Sequence, residues 1–261
     1  MKRDTLIREL GLGPVWRLRA RAADAAPPPE APEPPEPPKA GVPPRLTFPP
    51  EASEAGVPPR LTFEEAASAD GRTAAIARMG WDELKSAVAE CRACGLCQAR
   101  KQAVLGVGDV EADWLFVGEG PGAEEDERGE PFVGQAGKLL DAMLAAIDLK
   151  RGDNVYIANA VKCRPPNNRT PEAGETAACW PYLERQVALI RPKLIVALGR
   201  PAAQTLLRSE VKIASARGRV FDFNGIPLIV TYHPAYLLRN LPDKAKAWED
   251  LCFMRKTMKG F

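Results

Sequence analysis

The sequence predicts an α/β protein, a three-layer α/β/α domain around a central four-stranded, mainly parallel sheet. Three observations carry that expectation. Short apolar runs at 114–117, 155–159, 193–198 and 227–231 have the length of buried strands. Segments with apolar residues at helical spacing lie between and after them, at 136–148, 172–190, 200–208 and 243–258. Strands separated by helix-length segments become parallel neighbours, with the crossover helices covering both faces of the sheet.

From the start of the chain, residues 1–26 read as an amphipathic, basic tail: a short helix from Asp4 to Leu10, then Trp16, Arg17, Arg19 and Arg21. Such a tail either frays in water or docks on a partner. From Pro27 to Pro50 half the positions are proline, which brings no N–H to a helix or sheet, so 27–75 is expected to be a disordered linker. The nonapeptide Ala-Gly-Val-Pro-Pro-Arg-Leu-Thr-Phe occurs in it twice, at 40–48 and 55–63, as a slipped duplication would leave it. The folded domain is expected over 76–261 and opens on a helix at about 78–90. The chain has no apolar run of membrane-spanning length, and its first residues lack the apolar core of a secretion signal. The cytoplasm is the expected compartment. A net charge of +2 is too small to announce a nucleic-acid partner by itself.

Strand 114–117 runs into Gly118-Glu-Gly-Pro-Gly122 and a loop that reaches Gly137. Ligands of open α/β sheets sit at that carboxyl edge. Five glycines between 118 and 134 let the backbone approach a flat ligand closely. The acidic run Glu124, Glu125, Asp126 argues against a phosphate cradle. A dinucleotide-binding oxidoreductase is disfavoured as well, because the G-x-G-x-x-G spacing against a helix start is missing.

Cys91-Arg-Ala-Cys94-Gly-Leu-Cys97 offers thiolates at the two-residue spacing of metal and iron–sulfur sites. Cys163 and Cys179 lie far off in sequence, and two near with two distant cysteines suffice for a four-thiolate site. Zinc satisfies the same spacing equally well. Cys252, among apolar neighbours of the last helix, reads as a buried structural thiol. The single histidine, His233, follows the last strand on the same sheet edge as the glycine-rich loop. After it, Leu237-Leu238-Arg239 reads as an apolar wedge with a cation, of the kind inserted into stacked bases. The alternative is that these leucines start a helix and pack inward. Arg164, Arg169, Arg217, Arg219, Arg239, Lys244 and Lys246 fall in or beside loops after strands, where they would meet phosphates.

Over about 85–255 the chain resembles the family 4 uracil-DNA glycosylases, bacterial and archaeal enzymes with an iron–sulfur cluster. The matching stretches are Gly118-Glu-Gly-Pro-Gly122 with Glu125-Asp126, Gly129-Glu-Pro-Phe-Val-Gly134, Asn159-Ala-Val-Lys-Cys-Arg-Pro-Pro166 with Asn168-Arg169, and His233-Pro-Ala. The resemblance implies a uracil-DNA glycosylase-like fold and hydrolytic release of uracil from single- or double-stranded DNA. It implies a 4Fe-4S cluster on Cys91, Cys94, Cys163 and Cys179, with Cys97 outside the ligand set. Phe132 would stack on the extruded base and Asn159 would pair with its polar edge. His233 would donate to the uracil oxygen, and backbone groups of Glu119 and Gly120 would line the pocket. Together these roles place the pyrimidine between the ring at 132 and the imidazole at 233. A sister family carries an aspartate at the position of Gly120, so here the water's activator falls to Glu119 or Glu125. Leu237, Leu238 and Arg239 would open the DNA. The tail becomes a candidate dock for a repair or replication protein, on a chain expected to act as a monomer. The rival reading is a lesion-binding protein of the same superfamily without efficient turnover. That branch uses an extra histidine after the second strand, and Arg164-Pro-Pro-Asn-Asn-Arg169 has none.

Overall fold

The computed structural model describes residues 71–260, so the basic tail, nearly all of the proline-rich linker and its repeated nonapeptide lie outside the described residues. Residues 71–76 are already helical, so the folded body begins within the last residues assigned to the linker. Helix α1 (Trp81–Glu90) follows.

Six strands form one sheet: β1 (Val107–Gly108), β2 (Trp114–Gly118), β3 (Val155–Asn159), β4 (Leu194–Leu198), β5 (Val220–Phe223) and β6 (Ile226–Thr231). Their order across the sheet is β1-β3-β2-β4-β6-β5. The inner four, β3, β2, β4 and β6, are parallel and are the strands that the sequence predicts. Two antiparallel edge strands flank them and correct the expected count of four. β5 turns into β6 through Asn224-Gly225, both at positive φ (51° and 85°), the backbone that a tight hairpin demands.

The helices are α2 (Ala123–Arg128), α3 (Gln135–Ala145), α4 (Ala173–Ile190), α5 (Arg200–Leu207), α6 (Ile213–Ala216), α7 (Pro234–Arg239) and α8 (Lys244–Met258). Because successive residues of a strand face opposite ways, β2 feeds two cores. Leu115 and Val117 pack with Leu183, Val187 and Ile190 of α4 and with Ala202 and Leu206 of α5. Trp114 and Phe116 pack with Leu140 and Leu144 of α3 and with Leu251 and Met254 of α8. A third, smaller core gathers Ile76, Leu84, Val88 and Tyr182 around Cys163 and Cys179. No helix among the described residues is long and apolar enough to cross a membrane.

The acidic run of the glycine-rich segment is the first turn of α2, where carboxylates complement the helix dipole. Buried Asp126 accepts from Lys101 N at 2.9 Å, and Glu125 closes back on Gly122 N at 3.1 Å.

Candidate active site

The carboxyl ends of β2, β3 and β6 open on one pocket of about 370 Å³. Glu119, Gly120, Glu125, Phe132, Asn159 and His233 all line it, so the residues expected to bind or act on a base share one cavity. Tyr236, Arg169 and Arg239 complete its outer wall.

Asn159 ends β3, opposite Gly118 of β2. It is only 2% exposed, and its Oδ1 has no hydrogen-bond partner among the described residues. A buried acceptor left unpaired costs about 1–3 kcal/mol, which a ligand's N–H would recover. Gly118 is what admits the amide, because a Cβ there would stand 2.5 Å from Asn159 Oδ1 and 2.6 Å from Phe132 Cζ.

Phe132 sits at φ 55°, a conformation that L side chains hold only under constraint. The constraint is visible. Arg151 donates to the carbonyls of Pro131 and Phe132, at 2.8 Å each. Glu125 accepts from Val133 N at 2.9 Å and from Gly134 N at 3.1 Å. Gly137 leaves space for the Phe132 carbonyl, which would lie 1.7 Å from a Cβ. With the bond from Gly122 N, the Glu125 carboxylate is therefore occupied by three backbone donors.

The Phe132 and His233 rings lie 5.4 Å apart and 30° from parallel. That is direct stacking contact, so the expectation of a base between them is corrected. His233 caps the N-terminus of α7, and its Nδ1 accepts from Ala235 N at 3.1 Å. An accepting Nδ1 carries no proton, which puts the proton of the neutral ring on Nε2. Burial, helped by the Arg239 cation and opposed by Glu125, lowers the His233 pKa to about 4. At neutral pH the ring is uncharged and offers one N–H. Burial raises the Glu119 carboxyl above the ordinary carboxylate range, against a hydrogen bond from Thr170 and the charge of Arg200.

Leu237 is 1% exposed and packs in the α3/α8 core, which corrects its assignment to the DNA wedge. Leu238, at 40%, is the exposed leucine of the pair, and Arg239 is exposed on the pocket rim. A helix turn that packs one leucine inward must turn its neighbour outward. Leu237→Ala is expected to cost about 2–5 kcal/mol of stability. Leu238→Ala should leave the melting temperature unchanged and weaken action on duplex substrate, which thermal melts and activity assays separate.

The basic rim is smaller than the sequence suggests. Arg217 pairs with buried Asp250 at 2.8 Å, Arg169 with Glu175 at 2.7 Å, and Lys246 with Asp243 at 2.8 Å. Arg164, Arg219, Arg239 and Lys244 form no ion pair among the described residues.

Cys91, Cys94, Cys97, Cys163 and Cys179 line one small cavity between α1, α4 and the segment after β3. N–H groups point at three of the sulfurs: Arg100 Nη1 to Cys163 at 2.8 Å, Lys162 N to Cys179 at 3.2 Å, and Arg72 Nη2 to Cys91 at 3.8 Å. Arg100 escaped the sequence reading, although a cation close behind a cysteine run is the signal that finds it. No group of three or more His, Cys, Asp or Glu among the described residues closes on a single metal ion. Cys252 is exposed on the outer face of α8, which corrects its reading as buried.

A model of the uracil DNA glycosylase superfamily matches residues 105–252. The chain belongs to that superfamily. Curated relatives place it in the type-4 branch. The "Type-4 uracil-DNA glycosylase" of Pyrobaculum aerophilum is 41% identical over 66% of this chain and 92% of its own length. Those of Thermotoga maritima and Archaeoglobus fulgidus are 47% and 46% identical, over 61% and 60% of this chain and 83% and 82% of theirs. The superfamily match takes in every pocket residue and Cys163 and Cys179, and begins after Cys91, Cys94 and Cys97.

Proposed function

We propose that the protein hydrolyses the N-glycosidic bond of uracil in DNA, releasing free uracil and leaving an abasic site. One observation carries the reading. The unpaired Asn159 amide, the His233 Nε2–H and the Phe132 ring face a single pocket. Uracil presents an N–H beside a carbonyl on one edge, which an amide reads with its acceptor and donor together. A second carbonyl, next to the sugar bond, suits the imidazole N–H. As that bond lengthens, the base gains negative charge and the sugar positive charge. A fixed neutral donor at the base oxygen stabilises the first, and a carboxylate near the sugar stabilises the second. Glu119 is the better candidate for the sugar and its water, because Glu125 is engaged with Gly122, Val133 and Gly134 and acts by holding the Phe132 loop. The base reaches the pocket only after leaving the stack, at about a few kcal/mol. Leu238 and Arg239 are placed to fill the gap and hold the backbone.

The cavity of Cys91, Cys94, Cys163 and Cys179 is read as the seat of a 4Fe-4S cluster. Several sulfurs around one void, with N–H donors aimed at them, fit a cluster's hydrogen-bonded thiolates. Tetrahedral zinc, held by four thiolates at about 2.3 Å, is the alternative, and iron and sulfide analysis of the purified protein decides between them. The cluster would staple the segment before β1 to α4 and takes no part in hydrolysis. The chain would act as a monomer, with its catalytic domain over 76–261 and the tail at 1–26 as a dock for a repair or replication protein.

The test is incubation with matched oligonucleotides that carry uracil or thymine, without added metal, followed by alkali to cut abasic sites. Cleavage of the uracil strand alone is expected. An intact uracil strand contradicts the reading.

A further inference from the structure

Lys162 is buried at 1% exposure between the pocket and the cysteine cavity. Its Nζ donates to the backbone carbonyl of Asn159 at 2.7 Å and to Gln186 Oε1 at 2.5 Å. Both acceptors are neutral, Lys162 forms no ion pair among the described residues, and it lines the same small cavity as the ionisable thiols of Cys163 and Cys179. A buried ammonium without a counter-charge is strongly unfavourable. The other buried charges are satisfied differently: Asp250 has Arg217, and Asp126 has backbone N–H groups. The backbone of Lys162 is tied to the same two places, because its N–H donates to Cys179 Sγ at 3.2 Å and Cys163 follows it directly. Between Lys162 and Asn159, Ala160 N and Val161 N bond to the carbonyls of Gly118 and Glu119, at 2.9 and 3.1 Å. One short run, Asn159-Ala-Val-Lys-Cys163, thus joins the base-reading amide to a cluster ligand.

We propose that Lys162 is a positioning residue that couples the thiolate site to base recognition. Its ammonium anchors the Asn159 carbonyl, and so the amide above it, while ligated thiolates of Cys163 and Cys179 supply its counter-charge. This rests on the uracil reading of Asn159 and on the cluster.

The test uses the full chain with its cluster in place, as Lys162→Met. Removing a positive charge beside a cluster disfavours the more negative reduced form, so the reduction potential should move in the negative direction. Losing the anchor should raise KM for a uracil oligonucleotide by about tenfold, the scale of one charge-assisted hydrogen bond, with kcat little changed. A wild-type potential or a wild-type KM overturns the proposal. Lys162→Gln keeps a donor without the charge, so it should recover KM while the potential stays shifted. If the Met variant does not fold, a wild-type potential in the Gln variant alone is enough to reject the coupling. His233→Ala run alongside separates the causes. If it leaves excision intact, the uracil reading fails; if it is damaging while Lys162→Met is silent, only the coupling fails. Zinc instead of iron in the wild-type protein overturns the coupling together with the cluster.

Discussion

His233→Ala is expected to slow uracil excision by about 10²–10³, the usual cost of one preorganised donor at a developing oxyanion. The loss should appear in the single-turnover rate, with iron content unchanged. The reasoning is local. The imidazole is neutral because desolvation in the half-buried site and the Arg239 cation hold its pKa at about 4, and its Nδ1 is committed to Ala235 N, so the remaining N–H is its only polar contribution to the pocket. The same substitution removes the cap of α7, a stability cost of about 1 kcal/mol. His233→Asn restores a capping oxygen at the head of α7, and is expected to regain that stability without regaining the rate. Excision near the wild-type rate in both variants would remove the imidazole from the chemistry.

Cys163→Ser is expected to produce protein without stoichiometric iron and with a melting temperature lower by on the order of 10 °C, which corresponds to about 4 kcal/mol. Cys163 and Cys179 are buried among Ile76, Leu84, Val88, Leu96, Val161 and Tyr182, so the loss of a bound cluster there would open the smallest of the three cores. Arg100 would lose its sulfur partner in the same step. A serine hydroxyl in that apolar setting is a poor cluster ligand. Cys252→Ser, on the exposed face of α8, is the control and should change neither iron content nor melting. Full iron loading of the Cys163 variant would show that the ligand set is different, with Cys97 the first alternative because it lines the same cavity.

What the sequence made legible is what short-range physics controls. The four inner strands are continuous apolar runs because parallel strands buried on both faces need nothing else, and β2, β3 and β4 are buried at every residue. His233 and the glycine-rich segment were legible from their place at strand ends, whereas Phe132 and Asn159 were singled out only by the family resemblance. β5 was missed although Asn224-Gly225 advertises a hairpin; its outer residues are exposed and its apolar pattern is weak. β1 has two residues and owes its place to Gly108, where a Cβ would come within 2.2 Å of the Val155 carbonyl. No composition rule sees such an approach. Leu237 and Leu238 are identical letters, and only the docking of α7 on α3 decides which is core. The role of Glu125 was likewise illegible, because its partners Val133 and Gly134 reach it only when the loop folds back over α2.

Because His233 is the only histidine in the chain, its ring can be read directly by ¹⁵N NMR without assignment. The folded pKa of about 4 lies below the ordinary 6.5, so the unfolded chain takes up the proton first. This contribution to stability is therefore complete above pH 6.5 and fades as pH falls toward 4. The ring should stay in the neutral Nε2–H form from pH 8 to about pH 5, and addition of free uracil should move that one N–H resonance strongly downfield. A ring that titrates near 6.5, carries its proton on Nδ1, or ignores saturating uracil would contradict a base oxygen held by His233.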